Sequence, residues 1–269
     1  MKILEVNSRL LFLVSGIVMV ALVCWLAFSL QTSQQREDYE EEAGTALQLI
    51  AQRLAVAHAS MDALVGLYQA SDEMDAAMFT PFSEEILQDY PFIDSLQYLT
   101  YITRDEKQLF IEEMHESGFS QFSIKSPARE NSWPKDPDYY LVTSFLEPLT
   151  PSSANLMGMD WFANDNVVES FYMLAGENAS QLIIAPPGLE ISRHLVLLKP
   201  TYFGRSIEAN AADRFEQVSG MFVIVLDWDE LVNFSHPEEE GHLPVEFSLL
   251  TEAGEIFATH EPGSAEHVE

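Results

Sequence analysis

The chain has 269 residues, of which 43 are Asp or Glu and 13 are Lys or Arg, giving a formal net charge of −30. That balance excludes nucleic acid as a natural partner, because phosphate binding needs clustered cations. The 47% apolar share excludes general disorder, and a single cysteine excludes a disulfide framework.

The first element is the uncharged, mostly apolar run from Leu10 to Leu30. A stretch of this length spans a bilayer as one helix. Lys2 and Arg9 precede it, and the acidic segment from Glu37 to Glu42 follows it. The positive-inside bias therefore puts residues 1–9 in the cytoplasm and residues 31–269 outside. A cleaved signal peptide is the alternative, but its apolar region is usually shorter, about 7–15 residues. Ala27-Phe28-Ser29 is also a poor cleavage site, and the residues before Cys24 do not fit a lipoprotein signal. The expected location is the inner membrane, with the remainder in the periplasm or cell exterior. That exposed remainder contains no cysteine, so its fold rests on burial alone.

Residues 31–75 read as one long stalk helix without proline. Ala43, Leu47, Ile50, Leu54, Ala57, Met61, Leu64 and Tyr68 alternate spacings of four and three, the seam of a helix that keeps one stripe on a partner. At 1.5 Å per residue it would be about 60 Å long. The expectation is a parallel homodimer through its N-terminal half and packing on its own domain through its C-terminal half.

An α+β region is expected over residues 76–207. Thr80 and Pro81 suit a helix cap and first position, with Phe82, Ile86 and Leu87 inward and Pro91 ending the helix. Ile93 to Ile102 roughly alternates and is rich in aromatic and branched residues, so it reads as a strand. A helix from Arg104 to Ser117 turns Phe110, Ile111 and Met114 inward and is capped by Gly118. Strands follow at Phe119–Ile124 and Tyr139–Leu146, around a proline-rich loop. Next come a helix over Asn164–Gly176 and strands at Gln181–Ile184 and His194–Leu198. Residues 208–214 are polar and alanine-rich and read as a linker. Residues 208–269 form a third region, with a buried strand at Met221–Leu226, a short helix, and a pair of strands joined at Glu252-Ala253-Gly254.

No catalytic constellation stands out. The seven histidines are scattered without ligand spacing, and neither a nucleophile elbow nor a phosphate-cradling glycine loop is present. Glu238 to His242 reads as a solvated loop rather than a metal site. Lys125, Arg129 and Lys135 form one cationic cluster and Arg193, Lys199 and Arg205 another. Local carboxylates are their simplest partners, and convergence on an anionic ligand group is the alternative. No cofactor, no metal and no enzymatic activity are expected.

Several segments, taken in order, carry a resemblance. They are Pro91–Leu99 (PFIDSLQYL) with Glu106–Phe110, then Tyr139–Pro148 (YYLVTSFLEP), then Gly158-Met159-Asp160 and the helix after it. Leu182–Pro186, Leu198–Tyr202 and Gly220–Val232 complete the series. From about Phe79 to Leu231 the chain resembles the CHASE family, the extracytoplasmic sensory domain of receptor kinases and cyclases. The resemblance implies a long stalk helix carrying two PAS-like subdomains with antiparallel sheets. The first, residues 76–207, would be membrane-distal and bind ligand. The second, residues 208–269, would be membrane-proximal and incomplete.

In the family's cytokinin receptors an aspartate binds an adenine ring, and Glu147 matches it here, one methylene longer. An apolar helix residue of that pocket matches Met173. A pocket threonine matches Ile184, so its hydroxyl is missing, which argues against an adenine-type ligand. Tyr140, Thr143, Phe145 and Tyr202 are further candidates for pocket lining, since small-ligand sites are mostly apolar with a few polar anchors. Ordinary core residues would look the same. The function implied is a small-molecule sensor that signals through stalk and membrane helix to an output domain, a histidine kinase or a diguanylate cyclase or phosphodiesterase. Such a receptor would make this chain a fragment. A stand-alone anchored binding module and an anchored envelope hydrolase are the alternatives.

Overall fold

The computed structural model describes residues 43–71, 74–126, 137–184, 194–204, 210–233, 248–250 and 256–259. The apolar run at residues 10–30 lies outside them. Among the described residues no helix is long and apolar enough to cross a membrane.

Residues 50–233 and 247–261 form one compact unit. Its frame is a five-stranded antiparallel sheet in the order β2-β1-β5-β4-β3. The strands are β1 (Ile93–Thr103), β2 (Tyr139–Glu147), β3 (Gln181–Ile184), β4 (His194–Tyr202) and β5 (Val218–Asp227). All ten residues of β5 but the last are buried. Such a near-continuous apolar run suits a central strand covered on both faces. The sequence reading puts this strand in a second subdomain beyond a linker, whereas the structure sets it between β1 and β4. A single strand cannot reveal from its own sequence which strands it will pair with.

Helix α1 covers residues 43–71. Ala57, Met61, Leu64 and Tyr68 are buried while Leu47 is exposed. The C-terminal part of the heptad seam thus lies on the sheet. Tyr68 meets Tyr98 and Phe222 at ring distances of 5.6 and 6.3 Å, and Lys199 of β4 pairs with Asp62.

Helix α2 (Ala76–Asp89) starts earlier than the sequence suggests. Asp75 is its cap, accepting from the Met78 N–H at 2.8 Å, and Pro81 sits inside the helix. The buried face is Phe79, Ser83 and Ile86, a helical repeat that turns Phe82 and Leu87 partly outward. Helix α3 (Lys107–Glu116) buries Phe110 and Met114. It ends in a Schellman turn, with Phe119 N–H donating to Met114 O and Gly118 N–H to His115 O. Gly118 has φ +102°, the left-handed conformation for which glycine is favoured. No strand forms at Phe119–Ile124. That stretch is held by the burial of Phe122, 5.7 Å from the Phe110 ring, and by a bridge beside it, Lys125 to Met159.

The other sheet face is covered by α4 (Asp165–Glu177), capped by Asn164. Val167, Phe171, Leu174 and Ala175 bury against Leu99, Leu141, Val196, Leu198 and Val223. The expected linker is instead helix α5 (Ala211–Gln217). Asn210 caps it at Ala212 N–H, Phe215 reaches the α4 core, and Arg214 Nε donates to Gly176 O at 2.9 Å. Helix α6 (Trp228–Val232) follows β5, capped by Asp227. Strands β6 (Ser248–Leu250) and β7 (Ile256–Thr259) pair antiparallel, as the sequence pattern suggests.

Candidate functional site

The sheet has a notch. Strand β1 pairs with β5 as far as Thr100 opposite Gly220 and then runs on to Thr103 without a β5 partner. Around this free edge lies a cleft of about 1090 Å³, at the upper end of small-molecule sites. Helix α3 borders it through Leu109 and Glu113, and α5 through Phe215 and Glu216. Tyr68 of α1 and Met74 also line it.

The walls are aromatic. Tyr101 lies against Tyr139 at 5.5 Å and against Phe171 at 5.3 Å. Tyr172 lies 5.6 Å from Phe215. Tyr139, Tyr172, Phe203 and Leu109 line the cleft and are all exposed, an accessible apolar patch of the kind that marks binding sites.

The floor is a hydroxyl network. Thr100 Oγ1 and Ser144 Oγ are 2.6 Å apart, and Ser144 Oγ donates to Tyr98 O at 3.1 Å. Ser219 Oγ donates to Thr201 Oγ1 at 2.9 Å, and Thr201 Oγ1 lies 3.3 Å from the Tyr98 hydroxyl. Burial pushes the Tyr98 phenol well above its ordinary range, so it stays neutral. Gly220 makes room for this floor. A Cβ there would come within 2.2 Å of Leu99 O and 2.9 Å of the Tyr98 hydroxyl.

Among the described residues lining the cleft none is His, Cys, Lys or Arg. Its titratable lining consists of the carboxylates Asp75, Glu106, Glu113 and Glu216 and of tyrosines. Burial also pushes the Tyr101 phenol upward, reinforced by Tyr172, Tyr139 and Glu106. Glu106 itself is engaged, accepting from the Thr103 N–H and hydroxyl at 2.8 Å each.

The structure disperses the residues picked out from the sequence. Phe145 lines the cleft and lies 6.3 Å from Tyr98. Glu147 accepts a hydrogen bond from Thr80 of α2 at 2.7 Å. Tyr140 is buried against Phe110 and Met114. Lys107 Nζ lies 4.6 Å above its ring and donates to its hydroxyl at 3.0 Å. Thr143 accepts from the Trp161 indole at 3.0 Å in the core. The Tyr202 hydroxyl donates to Ala175 O at 2.8 Å, and burial raises its pKa to about 12. Met173 is exposed on α4, and Ile184 is half-buried at the end of β3. These six do not line the cleft.

Tyr98, Tyr101, Tyr172 and Phe215 are among the lining residues that sequence reasoning missed. For Tyr98 and Tyr101 the signal was the aromatic density of Ile93–Ile102, which reads equally well as strand core, whereas Tyr172 and Phe215 come from helices elsewhere in the chain.

No curated protein matches the chain. Residues 72–258 match the family described as CHASE domain, a span that takes in the whole five-stranded sheet and the described lining of the cleft except Tyr68. The chain therefore belongs to the CHASE family, a family of extracellular sensor domains of signalling receptors.

Proposed function

We propose that this chain is the extracytoplasmic sensor of a transmembrane receptor and that the cleft beside Tyr101 receives its small-molecule ligand. Residues 10–30 would anchor it in the inner membrane and residues 31–71 would form a stalk, dimerising in parallel with a second copy. The domain would be PAS-like, its signal passing to a histidine kinase or a diguanylate cyclase or phosphodiesterase.

The observation that carries this reading is the reach of the cleft. It touches both the free edge of β1 and Tyr68 near the end of α1. A ligand there contacts the sheet and the stalk helix together. It can bias an equilibrium of the stalk only if it binds one arrangement more tightly than the other, and rings shared by Tyr68, Tyr98 and Phe222 supply such a contact.

The test is a small-molecule screen for thermal stabilisation of the full chain in detergent. A ligand at 100 times its Kd stabilises by about 2.7 kcal/mol. That shift should fall in Tyr139→Ala, whose side chain lines the cleft, and persist in Met173→Ala, whose side chain does not. Loss of the shift in Met173→Ala with retention in Tyr139→Ala would place the ligand elsewhere.

A further inference from the structure

We propose that the cleft selects an organic cation: an amine or quaternary ammonium group carried on an apolar body. The inference rests on the reading of the cleft as the ligand site and adds the chemical class.

Charge is the first argument. Four carboxylates line the cleft, Asp75, Glu106, Glu113 and Glu216, and among the described residues no basic side chain does. Asp75 and Glu106 are occupied as caps of local backbone. Glu113 of α3 and Glu216 of α5 both line the cleft and are exposed, and among the described residues neither carboxylate has a hydrogen bond or ion pair. Elsewhere acids do find partners, as Asp62 does in Lys199 and Asp138 in Arg104 at 2.8 Å. Low-dielectric walls around one sign of charge focus the field and concentrate counter-ions.

The walls are the second argument. Tyrosine rings present a negative face, and a cation over such a face is attracted most when water is excluded. Tyr101, Tyr139 and Tyr172 stand together, Tyr139 and Tyr172 with accessible surface. Their apolar area also suits a hydrophobic body, so a bare metal ion or a fully hydrated polyamine fits less well. A second copy of a chain with net charge −30 is disfavoured at this acid-lined surface.

The test is isothermal titration calorimetry on the full chain in non-ionic detergent with three probes of like shape: phenethylamine, phenethyl alcohol and phenylacetate. The amine should bind at least tenfold more tightly than the alcohol, phenylacetate should not bind, and added salt should weaken the amine. The double variant Glu113→Gln/Glu216→Gln should weaken the amine several-fold and leave the alcohol unchanged. Equal binding of amine and alcohol, or binding of no probe, overturns the cation inference. Equal binding lost in Tyr139→Ala would still support the cleft as the ligand site. An amine whose affinity survives both the Gln variant and Tyr139→Ala binds outside the cleft and also overturns the inference.

Discussion

Arg53 of α1 donates from Nη1 to the carbonyl of Leu231 at 2.7 Å. The same guanidinium reaches Glu230 O at 2.7 Å and Asn233 O at 2.9 Å. The last carbonyls of a helix lack intrahelical donors, and a cation at that end satisfies them and the helix dipole. One side chain thereby fastens α1 to α6, directly after the central strand. Hydrogen bonds to charged groups contribute about 1.5–3 kcal/mol, so Arg53→Met should destabilise the protein by about that amount. Denaturant melts would measure it, and hydrogen exchange should quicken along residues 53–64. An unchanged melt would mean that the burial of Met61, Leu64 and Tyr68 alone holds the helix.

Gly220 is a second specific requirement. Its missing side chain lets Leu99 O and the Tyr98 hydroxyl approach. Gly220→Ala puts a methyl group 2.2 Å from a backbone oxygen in the middle of the sheet. Backbone must shift to relieve it, and the cost should be about 3 kcal/mol, the upper end for overpacking. A melting temperature within a degree of the parent would contradict this geometry.

Gln97 is fully buried on β1, and neither its amide oxygen nor its nitrogen has a hydrogen-bond partner. A buried unsatisfied polar group costs about 1–3 kcal/mol. Gln97→Met keeps the shape and removes that cost, so the variant should be more stable by roughly this amount. A destabilised variant would show that the amide is satisfied in solution, by water or by ligand.

Asp160 accepts from Leu141 N–H at 3.2 Å, Phe162 N–H at 3.1 Å and Ser126 Oγ at 3.2 Å. Burial still outweighs these bonds and raises its carboxyl above 3.8. A carboxyl raised on folding holds its proton more tightly in the folded state. Its favourable contribution is complete below 3.8 and is lost as pH rises through the raised value. Asp160→Asn keeps the acceptor oxygen without the charge. The variant should therefore gain on the parent as pH climbs from acid towards neutral, read from urea midpoints across that range. A difference that does not change with pH would contradict the assignment.

These relationships differ in how far the sequence exposed them. Local chemistry was readable: Gly118 ends α3, Asn164 starts α4, and the 93–102 and 139–146 patterns became paired strands. The C-terminal seam of α1 was readable for the same reason, since Met61, Leu64 and Tyr68 recur at helical spacing. Long-range pairing was not. Nothing in Val218–Asp227 says that it will part β1 from β4, and nothing in Thr100–Thr103 says that β5 will stop short of it. The cleft is made by that mismatch, so its residues could not be gathered from any single segment. Glu147 illustrates the converse, since its match by resemblance says nothing of Thr80, which comes from a helix 67 residues away in the chain.

The most direct measurement is hydrogen exchange of the full chain with and without a stabilising small molecule from the screen. Bound ligand should slow exchange in two places at once: the free edge of β1 at residues 101–103, and α1 around Tyr68. Protection confined to β3 and β4, or protection of β1 with none in α1, would contradict a sensor that reads its ligand through the stalk helix.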